Sequence, residues 1–216
     1  MKKSGIVYRH VAEHVLADRK AKLVVREIAR ELSISPNTVS LALAPLQRSG
    51  AVLMSKRYFE IIDIGKLLSF WAVSRKISKD IVYSTYVEMK NVSEIERLMP
   101  DSIAYTCCSG YTATFGNDVS DYSSVYLYAP DVQVREIMKR LPENDLSRRV
   151  KGHNVFVLKP DHVLERSITE GGLNHSSAPL SQIYVDLWGS KEWYSYEFML
   201  RLRKRIGDMY GKAILE

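Results

Sequence analysis

Residues 24–52 read VVREIARELSISPNTVSLALAPLQRSGAV, and the spacing of their apolar side chains decides how the first part of the chain folds. Val25, Ile28, Ala29 and Leu32 recur at helical intervals and predict one buried stripe. Ser33-Ile34-Ser35-Pro36 ends that helix, because the residue before a proline is pushed out of the helical region. Ser35 can accept from the free amides of a second helix, and Pro36 suits its first position, where no amide donor is needed. Val39, Ala42, Leu43 and Leu46 give this helix its inward stripe, and Gly50 closes it. Two helices clamped across a tight turn leave Asn37, Ser40, Leu41, Ala44 and Arg48 outward, with Thr38 near the helix start. Pro45 lies inside the second helix, where it removes one hydrogen bond and meets the Leu41 carbonyl. The cost of about 3 kcal/mol predicts a kink or an early end, and sets the placement of Arg48 against the rest.

Working outward, Ile6–Ala17 carries Ile6, Val7, Val11, Val15 and Leu16 at helical spacing and predicts a helix ahead of the pair. Behind it the period becomes that of strands: AVLM at 51–54, a polar Ser55-Lys56-Arg57, then YFEII at 58–62, a hairpin with a basic tip. Ile64–Ile77 reads as a connecting helix with Leu67, Leu68, Trp71 and Val73 inward. Ser93 and Glu96 form a capping-box pattern for a short helix before Pro100. Further on come strands at 125–129, 154–158 and 182–187, a helix after Pro130-Asp131 and a closing helix over 193–210. The fold class is therefore α+β. Residues 1–63 form one domain, 64–79 a connecting helix, and 80–216 a mixed α/β domain for regulation or assembly.

Charge divides along the same line. Residues 1–60 hold 11 Lys or Arg against 5 Asp or Glu, and residues 61–216 hold 20 of each. The whole excess of +6 sits in the first module, the pattern expected when one part of a chain meets phosphate and the other does not. A hydrophobic content of 46% with 26% charged residues excludes a disordered chain, and no apolar run reaches the roughly 18 residues of a spanning helix. The start MKKSGIVYRHV has no cleavage pattern behind an apolar core, so a cytoplasmic protein is expected, with no membrane partner. Cys107 and Cys108 are adjacent and are expected to be packed thiols rather than a disulfide.

The segment 24–52 resembles the helix-turn-helix of the winged-helix transcription factors, matching their pattern at Ala29, Leu32, Ile34, Ser35, Thr38, Val39, Ser40, Leu43, Leu46 and Gly50. Three helices followed by a hairpin is the element order of that superfamily. The segments SGYTATFGN, SSVYLYAPD, GHNVFVLKPD and PLSQIYVDLWGS of the second half are similar to the AbiEi-type antitoxin and regulator family, which joins a winged helix to such a domain. The resemblance implies a sequence-specific DNA-binding regulator that represses its own operon, with double-stranded DNA, a second copy of the chain and a cognate toxin as partners. The DNA-binding residues it implies are Ser35, Pro36, Asn37, Thr38, Ser40, Leu41 and Arg48 on the helix, with Lys56 and Arg57 on the hairpin.

The second domain is also similar to a degenerate nucleotidyltransferase fold, which makes a nucleotide-handling enzyme the alternative reading. Such an enzyme holds Mg²⁺ on two carboxylates one residue apart on a strand. Here Ser123-Ser124-Val125-Tyr126-Leu127-Tyr128 offers none, and Asp118 and Asp121 precede it in a loop. No catalytic residue, metal or cofactor is therefore expected. His10 and His14 lie one helical turn apart with Glu13 between them, but no third ligand is apparent, and they read as a solvated face. Glu88-Met89-Lys90 has the acidic-x-Lys half of a nuclease site without its partner upstream. Arg201, Arg203, Lys204 and Arg205, interleaved with Leu200, Leu202 and Ile206, read as the basic face of an amphipathic helix. Eleven of the 13 tyrosines follow residue 63, which favours the second domain for assembly.

Overall fold

The computed structural model describes residues 3–88, 91–141, 152–173 and 176–210. It is a mixed α and β protein with two small sheets, divided into two units. Unit one comprises residues 1–75, 179–189 and 199–216, and unit two residues 76–178 and 190–198. Two carboxy-terminal stretches, which the linear reading assigns to the second domain, thus group with the first.

Unit one begins with α1 (Lys3–Leu16), β1 (Lys22–Leu23), α2 (Val25–Glu31) and α3 (Pro36–Arg48). β2 (Val52–Met54), β3 (Phe59–Ile61) and α4 (Ile64–Ser74) follow. The sheet order is β1-β3-β2, all antiparallel, with Lys22 opposite Glu60 and Val52 opposite Ile61. β1 was not legible as a strand, since two residues carry no period. α3 runs through Pro45 to Arg48, so the proline neither ends it nor removes Arg48 from it. α4 is shorter than predicted and ends at Ser74, and Val73 faces out at 74% exposure while Leu67, Leu68 and Trp71 are buried. It is a core helix of the unit rather than a linker.

The unit is completed by α9 (Leu180–Gly189) and by α10 (Ser195–Tyr210) from Met199 onward. The sequence predicts a strand over 182–187, and the structure corrects it to a helix. Residues 181–187 are buried throughout, and a run buried on all sides has no face-to-face alternation from which period can be read. α9 packs on α4 and α1. Asp186 Oδ1 accepts from Arg75 Nε at 2.9 Å, Asp186 Oδ2 from Gln182 Nε2 at 3.1 Å, and Gln182 Oε1 from Arg9 Nη1 at 3.2 Å.

At the start of α9 the Ser181 amide donates to Glu13 Oε1 at 3.0 Å. Burial pushes the Glu13 carboxyl above its ordinary 4.5, more strongly than the bond from Ser181 lowers it. Folding is then coupled to proton uptake: Glu13 favours the folded state most at pH below 4.5, and that contribution is lost as pH rises through the raised value. Glu13→Gln is expected to flatten the pH dependence of the urea midpoint between pH 4.5 and 8 and to raise the midpoint at pH 8. A larger pH dependence in the variant would contradict this.

Unit two holds a short 3₁₀ turn (Ile77–Lys79), β4 (Ile81–Thr85), α5 (Val92–Glu96), β5 (Ala104–Thr106) and α6 (Cys107–Phe115). It continues with β6 (Val125–Tyr128), α7 (Asp131–Arg140), β7 (Val155–Leu158) and α8 (His162–Thr169). The sheet order is β4-β7-β6-β5, with β6 and β7 parallel and the other pairs antiparallel. Val125, Leu127, Val155 and Val157 from its central strands pack with Ile95, Ile103 and Ile137. α5 is capped by Asn91, whose Oδ1 accepts from the Glu94 amide at 3.1 Å, so the predicted Ser93 and Glu96 box is displaced by two residues. Cys107 and Cys108 are buried and not joined in a disulfide. Met89 and Lys90, in the acidic-x-Lys pattern, lie outside the described residues.

Candidate nucleic-acid interface

The turn between α2 and α3 is built by backbone bonds that each helix end would otherwise lack. The Ser33 amide donates to the Arg30 carbonyl at 3.1 Å and the Ile34 amide to the Ala29 carbonyl at 2.9 Å. This closure requires a left-handed residue at Ser33, which has φ 54°, a conformation costing a non-glycine residue about 1–2 kcal/mol. α3 closes the same way, with Gly50 at φ 73° and the Ala51 amide donating to the Leu46 carbonyl at 2.9 Å.

At the head of α3 the Thr38 amide donates to Ser35 Oγ at 3.2 Å, and the two hydroxyl oxygens lie 2.9 Å apart. Ser35 and Thr38 are therefore engaged with each other, and Pro36 occupies the first turn as predicted. Val39, Ala42, Leu43 and Leu46 are buried. Asn37, Ser40, Leu41 and Arg48 are exposed and Ala44 half-buried, which places the proposed contact residues on one uncovered face. Leu41 is 67% exposed, an apolar side chain left uncovered by the described residues.

β2 and β3 form the hairpin. The Ser55 amide donates to the Tyr58 carbonyl at 2.9 Å, closing a turn that carries Lys56 and Arg57, both exposed. Lys22 Nζ stands 5.5 Å from the centre of the Tyr58 ring and 4.0 Å from Glu60. Arg26 and Arg30 on α2 are exposed as well.

Sequence reasoning missed a polar cluster on the same unit. His10 Nε2 and His14 Nε2 lie 2.7 and 3.2 Å from one oxygen of Glu31, and His14 Nδ1 lies 2.8 Å from Asp18 Oδ2. The two histidines were visible as a helical pair, but their third member sits on α2 and joins them only when α1 and α2 pack. Burial acts to raise the Glu31 pKa, and the hydrogen bonds to His10 and His14 outweigh it, holding the carboxylate below its ordinary 4.5. Burial lowers the pKa of His10.

In unit two, β6 presents Val125, Tyr126, Leu127 and Tyr128, all buried. Asp118 accepts from the Tyr111 hydroxyl at 2.8 Å and Asp121 is exposed. A separate cleft of about 390 Å³ is lined by Tyr86, Asn91, Ser123, His153 and Glu192 among others. None of the described helices is long and apolar enough to cross a membrane. Comparison with protein-family models, with curated proteins and with solved structures gives no match for this chain.

Proposed function

We propose that unit one is a winged helix-turn-helix that binds double-stranded DNA by sequence, with α3 as the recognition helix and the hairpin of β2 and β3 as the wing. The observation that carries this reading is the uncovered face of α3, with Asn37, Ser40, Leu41 and Arg48 outward, on a module holding all of the chain's excess positive charge. An exposed helix face of short polar side chains fits a major groove about 12 Å wide, and exposed Leu41 suits a thymine methyl group. The element order α1-β1-α2-α3-β2-β3 supports the assignment. In this reading the protein is a cytoplasmic transcriptional regulator and an antitoxin-type autorepressor, not an enzyme. Neither Asp118 nor Asp121 lies on β6 to provide the carboxylate pair that nucleotidyl transfer requires. Unit two would hold a second copy or a toxin, with exposed Trp193 and Tyr196 as contact side chains.

Selection of bound sequences from a random duplex pool is expected to return a defined site. Affinity for that site should fall steeply with salt, each phosphate contact adding about 0.9 to the log-log slope. Lys56→Ala with Arg57→Ala should weaken all sequences alike and lower the slope by about 2, whereas Asn37→Ala or Ser40→Ala should cost about 1–3 kcal/mol on the selected site and relax its preference. Binding that is indifferent to salt, or a pool that returns no preferred sequence, would sink the reading.

A further inference from the structure

We propose that His10, His14 and Glu31 form a binding site for a divalent transition-metal ion of the zinc class. Their ligand atoms lie within 4.8 Å of one another, two imidazole nitrogens and a carboxylate oxygen from two packed helices. Zinc binds nitrogen and oxygen at about 2.0–2.2 Å, and tetrahedral angles then set neighbouring ligand atoms about 3.3 Å apart. The separations of 2.7 and 3.2 Å from Glu31 to the two Nε2 atoms fall short of that spacing, and the widest spread in the trio, 4.8 Å, exceeds it, so binding an ion requires side-chain rotations of about 1–2 Å rather than a backbone change.

The surroundings of the trio match what a metal site needs beyond its ligands. Asp18 Oδ2 sits 2.8 Å from His14 Nδ1, so it can accept a proton there and orient the ring, while Nε2, hydrogen-bonded to Glu31 in the absence of an ion, is the atom that faces the site. The side chains are 24, 18 and 38% exposed for His10, His14 and Glu31, which gives an ion a path from solvent and leaves a coordination position for water. Glu13, between the two histidines in sequence, does not belong to the site, because its carboxylate accepts from the Ser181 amide. On binding, the ion takes the Nε2 lone pairs of both histidines and one Glu31 oxygen, and any protons held on Nε2 leave to solvent.

The test uses the full chain with no polyhistidine tag, titrated with Zn²⁺ by calorimetry and with Co²⁺ by its visible absorption. One Zn²⁺ per chain at micromolar affinity or tighter is expected, with Co²⁺ giving the intense bands of a four-coordinate site. His14→Ala and Glu31→Gln should each weaken Zn²⁺ at least 100-fold. Asp18→Asn, at an exposed position, should weaken it about 10- to 100-fold with the ligands intact, an effect that loss of a surface hydrogen bond alone would not produce. No Zn²⁺ binding at 100 micromolar, or equal affinity in folded His14→Ala and Asp18→Asn proteins, overturns the proposal. The readout is the metal alone, so it stands or falls independently of DNA binding.

Discussion

Asp186→Ala is expected to destabilise unit one by about 3–5 kcal/mol. Its side chain is fully buried, and its partner Arg75 is only 4% exposed at 2.9 Å. Removing the carboxylate leaves the Arg75 guanidinium buried without its nearest counter-charge, and the cost of that buried charge, rather than the attraction lost, sets the size of the effect. Gln182 and Arg9 continue the chain of bonds, so the defect reaches α1 as well as α4. Asp186→Asn, which keeps an acceptor for Arg75, should lose less. A double replacement, Arg75→Met with Asp186→Leu, should recover most of the loss, because well-packed apolar residues can stand in for a buried pair. Urea unfolding of the three variants checks this, and a loss under about 1 kcal/mol for Asp186→Ala would show that the pair is not the brace it is taken to be.

A fragment of residues 1–79 is expected not to fold on its own, although it contains the whole proposed DNA-binding surface. Ile183, Tyr184, Leu187, Leu202 and Ile206 are buried in the unit that this fragment represents, yet all lie beyond its end. At about 1.5–3 kcal/mol each, their loss amounts to about 8–15 kcal/mol, an upper figure because unfolded chains already hide some apolar surface. A whole domain is typically stable by only about 5–15 kcal/mol. Far-ultraviolet circular dichroism on heating is the measurement: the fragment should melt without a cooperative transition, and a sharp transition above 45 °C would refute the expectation. The reciprocal fragment from residue 80 would carry α9 without α4 and α1, so it cannot serve as an isolated second domain.

These two expectations mark where the sequence stops being legible. The α2 and α3 pair could be read because its instructions are local: Ser33-Ile34-Ser35-Pro36 supplies the turn and the cap within four residues. The hairpin was legible for the same reason, through the change of period around Lys56 and Arg57. β1 escaped because its two residues are held by pairing with a distant strand, Lys22 opposite Glu60 and Leu23 opposite Phe59 on β3. α9 was misread because burial on every side erases the pattern that separates helix from strand. The grouping of 179–189 with the first unit and the meeting of Glu31 with His10 and His14 are products of packing between distant segments, and no window of sequence contains both sides.

The return of the chain to unit one also orders events in time. Arg9 finds Gln182 across 173 positions, and roughly 100 residues of unit two intervene between Arg75 and Pro179. At a synthesis rate of about 5–20 residues per second, the nascent first module waits on the order of 5–20 s for the helix that completes it. During that wait the apolar faces of α1 and α4 are open to chaperones and to other nascent chains, and the surface carrying Asn37 and Ser40 rests on an unfinished core. Unit one is thus completed only after the intervening residues of unit two have been made, a delay that a module finished by residue 63 would not have.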